Sequence, residues 1–506
     1  MNWFNGASNL TAIDYGVVCV SIAVLFAIGF WMGREENSTQ AFFLGNRKIP
    51  VWAACLSFVA TEVSAVTIIS VPATAFRENW EYLQFFLGSF GARIILAFFF
   101  IPAFYKFNCT TIYEFLKHRF GPETQYAGTA FFFVTRLLGS GVRLTVAAKA
   151  VAVLVGWNLV PTIVLFSIVS MLYISWGGVK AVIWTGVWQA ISFLIGGLAT
   201  IWFLSTVVNG GFFGIFHAAN AAGKLNIINW GPRLSDPGFF KTVLGDPNIW
   251  WLATLNGFFG SMAAYGTDHE LMQRLLTLET RQKSQKTTLL TPLAGLLVLL
   301  VHLIIGAGLF VFYQQHPAAP LPAKLDDIFP HFANFEMPAF LRGLVLGSVI
   351  MASIDSPLGS LTASFVTDIY KPLIRKNEDD RHYLLVARVM VIVFGLILGG
   401  LAYSFSFLNG FLWLAFKIGG ITFGSLLGVF LLGLFTKVKS NRANIVAMIA
   451  MAAVNLALLT LTEKGVVNVG WTWLVLIGTF GTMGLSWALA PTMDKLNDEV
   501  RSTNDE

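Results

Sequence analysis

Ala60-Thr61-Glu62-Val63-Ser64-Ala65-Val66-Thr67-Ile68-Ile69-Ser70-Val71-Pro72 lies within an apolar run long enough to cross a bilayer, yet it carries a carboxylate, several hydroxyls and a proline. Lipid-facing helices avoid such groups. An unsatisfied backbone group in hydrocarbon costs several kcal/mol, so an interrupted helix at membrane depth survives where it lines a cavity or coordinates something. The stretch therefore reads as part of an ion and solute site built from freed carbonyls and hydroxyls. The alternative is a continuous packed helix whose Ser and Thr bond back to its own carbonyls.

The rest of the chain has the composition of an integral membrane protein. Of 506 residues, 56% are hydrophobic and 12% charged, and the mean hydropathy is +0.69, far from a soluble average. The 46 Phe and 16 Trp suit lipid-facing surfaces and interfacial belts, and the 47 Gly suit close helix packing and broken helices. Cys19, Cys55 and Cys109 fall in or at the end of apolar runs and do not read as a disulfide framework or metal cluster. A net charge of +6 would suggest nucleic acid as a partner for a soluble domain; here the positions of the charges matter more than their sum. No nucleic-acid partner is expected.

Apolar stretches of roughly 18 residues or more number about thirteen. They run 13–33, 51–76, 83–105, 126–155, 162–178, 184–208, 251–275, 289–313, 341–368, 384–403, 407–435, 443–461 and 470–490. The first is too long for a signal-peptide core and reads as a retained helix. The fold class expected is all-α. Placing the N-terminus outside gathers Arg47, Lys48, Lys106, Lys117, Arg119, Arg281, Lys283, Lys371, Arg375, Lys437, Lys439 and the tail's Lys495 on the cytoplasmic side. Localisation in the plasma (inner) membrane, with the C-terminus cytoplasmic, follows. Two long loops, around 209–250 and 314–340, fall outside.

The spans from 51 to 435 divide into two sets of five, and an odd number per half orients the halves oppositely, as an inverted repeat requires. The first helix of each half, 51–76 and 251–275, is then the discontinuous one. The chain divides into 1–49 (a helix and loop), a transport core over 50–436 with repeats at 50–208 and 249–436, and 437–506 (two further helices and a short tail).

Two constellations carry possible chemistry. In the first, Ser64 and Thr67 share a helix face while Glu62 points elsewhere unless the helix unwinds. A hard cation such as sodium would find oxygens there. The second is the run from Gly347 to Tyr370, where Asp355 sits among Ser348, Ser353, Ser356, Ser360 and Thr362, with Pro357 able to open the ladder. Tight small-residue packing is its structural alternative. Arg143 lies too deep to snorkel, so it pairs with Asp355 or Glu62 or holds a solute carboxylate. Lys417 raises the same question. Asp268, His269 and Arg274 read as a polar network anchoring their helix. No nucleophile elbow, zinc motif or paired-carboxylate hydrolase site is present, and no enzymatic activity is expected.

The chain resembles the sodium/solute symporter family over almost its whole length. The resemblance rests on Phe42, Phe43, Leu44 and Gly45 with Pro50 and Trp52; on Ala60 to Pro72; on Trp176, Gly177 and Gly178 with Val182, Ile183, Trp184, Thr185 and Gln189; on Gln273–Arg274; on Thr367 to Tyr370; and on Gly424, Gly428, Leu432, Gly433 and Phe435. It implies the five-plus-five leucine-transporter fold and alternating access driven by sodium, the one coupling ion expected. Carried over by position, the principal sodium site uses carbonyls of Ala60, Val63 and Val349 with the hydroxyl of Ser353, while Ala352 stands where many members have a further hydroxyl. The solute would lie against Ser64 and Thr67, with Glu62, Tyr82, Phe86 and Arg143 as further candidates.

Many members carry an aspartate after the Trp184–Thr185 pair; this chain has Gly186. The resemblance places Asp355 and Ser356 at a second cation site, with the carboxylate moved from Gly186's position to Asp355. Gly186→Asp would then partly rescue Asp355→Asn. The expected activity is sodium-coupled symport of a small solute, with a sugar or sugar acid favoured and amino acids or monocarboxylates as alternatives. Coupling to protons through Glu62, or a transporter-like receptor, are the other readings. The partners are the solute, sodium and the bilayer, and the protein is expected to work as a monomer.

Overall fold

A computed structural model of the protein describes residues 9–33, 38–354, 357–408 and 411–504. Nine helices among them are long and apolar enough to cross a membrane, and a tenth span is formed by Val51–Glu62 and Val66–Arg77, bent by 55°. The other three expected spans are present as shorter or interrupted helices, so length and apolarity among the described residues count ten of the expected thirteen or so. Leu159–Leu172 and Leu341–Ala352 are short apolar helices, and 251–275 splits into Trp250–Gly266 and His269–Leu276.

The elements around the site are α1 (Ala12–Met32), α2 (Val51–Glu62), α3 (Ala65–Arg77), α4 (Leu83–Lys106), α5 (Pro122–Val155), α6 (Leu159–Val207), α7 (Trp250–Gly266), α8 (His269–Leu276), α9 (Arg281–Gln315) and α10 (Leu341–Ile354). α2 packs against α6 and α9, and α3 against α9 and α5, so the bent pair is enclosed by other helices and not by lipid alone. α1 is pinned to α10 by a buried ion pair, Arg342 to Asp14 at 2.7 Å. Asp14 also accepts from the backbone and hydroxyl of Thr11, closing the first turn.

Two glycine features set the geometry. Gly178, with φ 50° and ψ −157°, turns the chain between the two halves of α6 in a conformation closed to other residues. At the crossing of α4 and α7 no side chain intervenes. A Cβ on Gly88 would sit 1.9 Å from the Thr254 carbonyl oxygen, and one on Gly257 would sit 2.1 Å from that of Phe85.

Short helices Gly211–Ala221, Phe239–Gly245 and Ile328–Phe335 occupy the two long loops. These loops are tied to the bundle by charge. Arg77 meets Asp326 at 2.9 Å and Lys149 meets Asp327 at 3.3 Å. Lys224 donates to the carbonyls of Phe76 and Arg77 at the C-terminal end of α3, where a cation suits the helix dipole. The final helix continues through Asn504, so the expected tail extends that helix. Cys19, Cys55 and Cys109 are free thiols.

Candidate functional site

The break in the first span is made by Ser64, not by Pro72. α2 ends with the Val63 N–H on the Val59 carbonyl at 2.7 Å, and the ladder resumes with the Ile68 N–H on the Ser64 carbonyl at 3.2 Å. Ser64 is extended (φ −90°, ψ 178°), and its hydroxyl accepts from the Val66 N–H, so it caps α3. Pro72 lies inside α3 without breaking it. The carbonyls of Ala60 to Val63 follow the last rung, as the final carbonyls of any helix do. Arg143 donates to that of Thr61 at 3.1 Å.

The unwinding turns Glu62 to the same side as Ser64 and Thr67. All six solute-side candidates, Glu62, Ser64, Thr67, Tyr82, Phe86 and Arg143, line one cavity of about 230 Å³. Val63 lines it too. Its far side comes from α7 (Asn256, Gly257, Tyr265), from α9 (Gly295), from Gly419, Gly420 and Phe423 of a later helix, and from Trp471 just before the last one. Trp471 stacks on Phe85 with centroids 5.7 Å apart.

Glu62 does not pair with Arg143. Its partner is Arg93, whose Nη2 lies 2.8 Å from Glu62 Oε2, while the Tyr265 hydroxyl donates to Oε1 at 2.7 Å. Arg93 is fully buried on α4, lies 3.6 Å from the Tyr265 ring centroid and donates to Thr291 at 3.1 Å. An arginine midway along an apolar span is itself a signal for a functional site. Lys417 has a structural partner, pairing with Glu463 at 2.6 Å on the exposed side of the bundle.

Of the residues that resemblance assigns to the principal sodium site, Ala60 and Val63 lie at the break. Val349 is fully buried on α10, which packs against α3. Ala352 lines a small second cavity with Ser140, Arg143 and Glu270. The side chain of Ser353, and Asp355 and Ser356 altogether, lie outside the described residues. A rescuing aspartate at Gly186 would have to displace Ser57. A Cβ there would meet Ser57 Oγ at 2.6 Å and Ser57 Cα at 3.1 Å, in a contact that holds α6 on α2.

The second helix break, at Thr267–Asp268, is held by buried charge. Asp268 caps α8 by accepting from the Glu270 N–H at 2.9 Å. Arg136 reaches Asp268 at 3.1 Å and also contacts Glu270. Arg274 donates to the Glu270 carbonyl at 2.6 Å and to Ser57 at 3.2 Å, joining α8 to α2. Asp268 and Arg274 anchor the helix as expected, but His269 does not take part: among the described residues neither of its buried ring nitrogens has a hydrogen-bond partner. Other motif residues are likewise structural: Gln273 donates to the Phe43 carbonyl at 2.8 Å, and Asp368 accepts from Thr111, Gln125 and Thr129.

A broken helix packed within a helical bundle, opening on a polar and aromatic cavity, is the arrangement that suits a membrane transporter of small solutes. The sodium:solute symporter family matches residues 42–451, and the chain belongs to it. It is a sodium-coupled solute symporter and not an enzyme. The sodium/sialic acid symporter NanT of Aliivibrio fischeri is 26% identical, covering 99% of this chain and 98% of its own. The human sodium-coupled monocarboxylate transporter 1 is 27% identical over 89% of this chain and 74% of its own. Among solved structures, a substrate-bound, outward-open Na+-coupled sialic acid symporter superposes with a TM-score of 0.83 at 23% identity, covering 95% of this chain and 98% of its own. That likeness gives the fold.

Proposed function

We propose that the protein carries a sugar acid together with sodium, by alternating access around the cavity at the Val63–Ser64 break. The observation that carries this reading is the gathering of Arg143, Glu62, Ser64 and Thr67 with ring faces around one cavity. An acid's carboxylate suits a guanidinium, its hydroxyls suit the carboxylate and amide acceptors, and its ring suits aromatic walls. Relatives named as sialic acid symporters support the same class. The monocarboxylate transporter supports the second reading, a smaller acid in the same place.

Sodium would take the carbonyls of Ala60, Val63 and Val349 and the Ser353 hydroxyl, and its binding would favour the outward-open population and organise the solute site. The two broken spans, one opening each set of five, support the inverted repeat over 50–208 and 249–436. The basic loops support an outside N-terminus and cytoplasmic C-terminus in the plasma membrane, and the protein is taken to work as a monomer. Asp355 with Ser356 would form the second cation site. Asp355→Asn is expected to lower sodium affinity or change sodium stoichiometry, read from the sodium dependence of uptake into liposomes; unchanged dependence refutes that site.

The direct test is thermal stability of the purified protein with N-acetylneuraminate, pyruvate, a neutral hexose and an amino acid, each in sodium and in potassium. A ligand at about 100 times its Kd adds about 2.7 kcal/mol of apparent stability. A sodium-dependent shift with the sugar acid is expected. A shift confined to pyruvate selects the second reading, and shifts independent of sodium refute the coupling.

A further inference from the structure

We infer that Arg93 is a positioning residue which holds Glu62 as a fixed acceptor in the cavity wall, and that this acceptor selects solutes bearing hydroxyl or amide N–H donors over short monocarboxylates. The inference rests on the proposed symport of an acid and names what chooses among acids.

Glu62 sits at the unwound end of α2, where the backbone alone would leave its side chain many rotamers. Two partners remove that freedom. Arg93 holds Oε2 at 2.8 Å and the Tyr265 hydroxyl holds Oε1 at 2.7 Å, from two different helices. Arg93 is itself fixed by Thr291 on a third helix and by lying against the Tyr265 and Phe58 rings, 3.6 and 4.9 Å from their centroids. Each carboxylate oxygen accepts at two positions, and each has spent one on these partners. Glu62 keeps 11% of its side-chain surface and lines the cavity, so acceptor capacity remains on the solute side.

The space over the carboxylate is kept by Gly295. A Cβ there would lie 3.6 Å from Glu62 Oε2 and 3.4 Å from Phe86 Cζ, ordinary contact distances that occupy the approach without straining the wall. A solute with donors several bonds from its carboxylate can satisfy Glu62, while pyruvate, with no donor to offer, would desolvate it without replacement. A buried polar group left unpaired is how such sites reject the analogue lacking a donor.

The test is the ratio of sodium-dependent affinities for N-acetylneuraminate and pyruvate, measured by calorimetry on the purified full chain. Glu62→Gln and Gly295→Ala are each expected to lower the preference for N-acetylneuraminate by about tenfold, since a charge-assisted hydrogen bond is lost or covered. Gly295→Ala leaves the Arg93–Glu62 pair in place, so it carries the test if Glu62→Gln fails to fold. If Arg93 acts through Glu62, Arg93→Met alone lowers the ratio as Glu62→Gln does, and adding it to Glu62→Gln lowers the ratio no further, a non-additivity that an independent structural role would not produce. A ratio unmoved by Gly295→Ala and by Glu62→Gln overturns this inference alone. A wild-type protein that binds no sugar acid overturns the proposed substrate class and this inference with it.

Discussion

Arg136→Met should cost about 3–5 kcal/mol, the penalty for stripping the partner from buried charge. The guanidinium is buried on α5 and reaches both Asp268 and Glu270, each almost wholly excluded from solvent. Arg274 still contacts Glu270, at 3.9 Å, but Arg136 is the partner of Asp268. The substitution therefore strikes the residue that caps α8 and shapes the second helix break. A fall in the melting temperature of the purified protein measures the cost. Combining Arg136→Met with Asp268→Asn and Glu270→Gln should recover part of it, because neither carboxylate is then left charged, while Arg274 keeps its bonds to the carbonyl of residue 270 and to Ser57. Equal losses in the single and triple variants would show that the network stabilises by packing and not by charge.

Gly88→Ala comes next, with an expected loss of about 3 kcal/mol, the upper part of the usual cost of overpacking. The added methyl meets the Thr254 carbonyl at 1.9 Å, the Phe258 nitrogen at 2.5 Å and the Gly257 carbonyl carbon at 2.9 Å. All three are backbone, so no rotamer change relieves the clash and α4 must move away from α7. Gly257 and Phe85 line the cavity, so solute affinity should fall together with stability. Gly139→Ala, where nothing lies within 4 Å, is the matched control and should hold or slightly raise the melting temperature. A Gly88→Ala protein as stable as the Gly139→Ala protein would refute the main-chain contact.

Local chemistry made much of the molecule legible. Hydropathy located the helices because a bilayer span is a property of consecutive residues. The Ala60–Thr67 stretch announced a break, and its polar residues do meet in one cavity, because a chain that unwinds brings neighbours together whatever their helical phase. Which of those polar residues makes the break was not legible, since a serine that caps a helix and one that bonds back within it have the same sequence. Partnerships across the fold were not legible. Nothing local relates Glu62 to Arg93 or Lys417 to Glu463, because each pair joins residues of different helices. The crowding at Gly186 is likewise a fact about Ser57 on another helix.

Where α4 crosses α7, the cavity is bounded by main chain, and main chain has no rotamers. Gly257, Gly260, Gly419 and Gly420 extend that character around the wall. Such a surface is a fixed template whose curvature cannot adapt to a larger or smaller guest. Breadth of solute size must come from Tyr82, Phe86, Phe423 and Trp471, whose rings can turn. Anyone seeking to widen the transported range should vary those rings and leave the glycines alone.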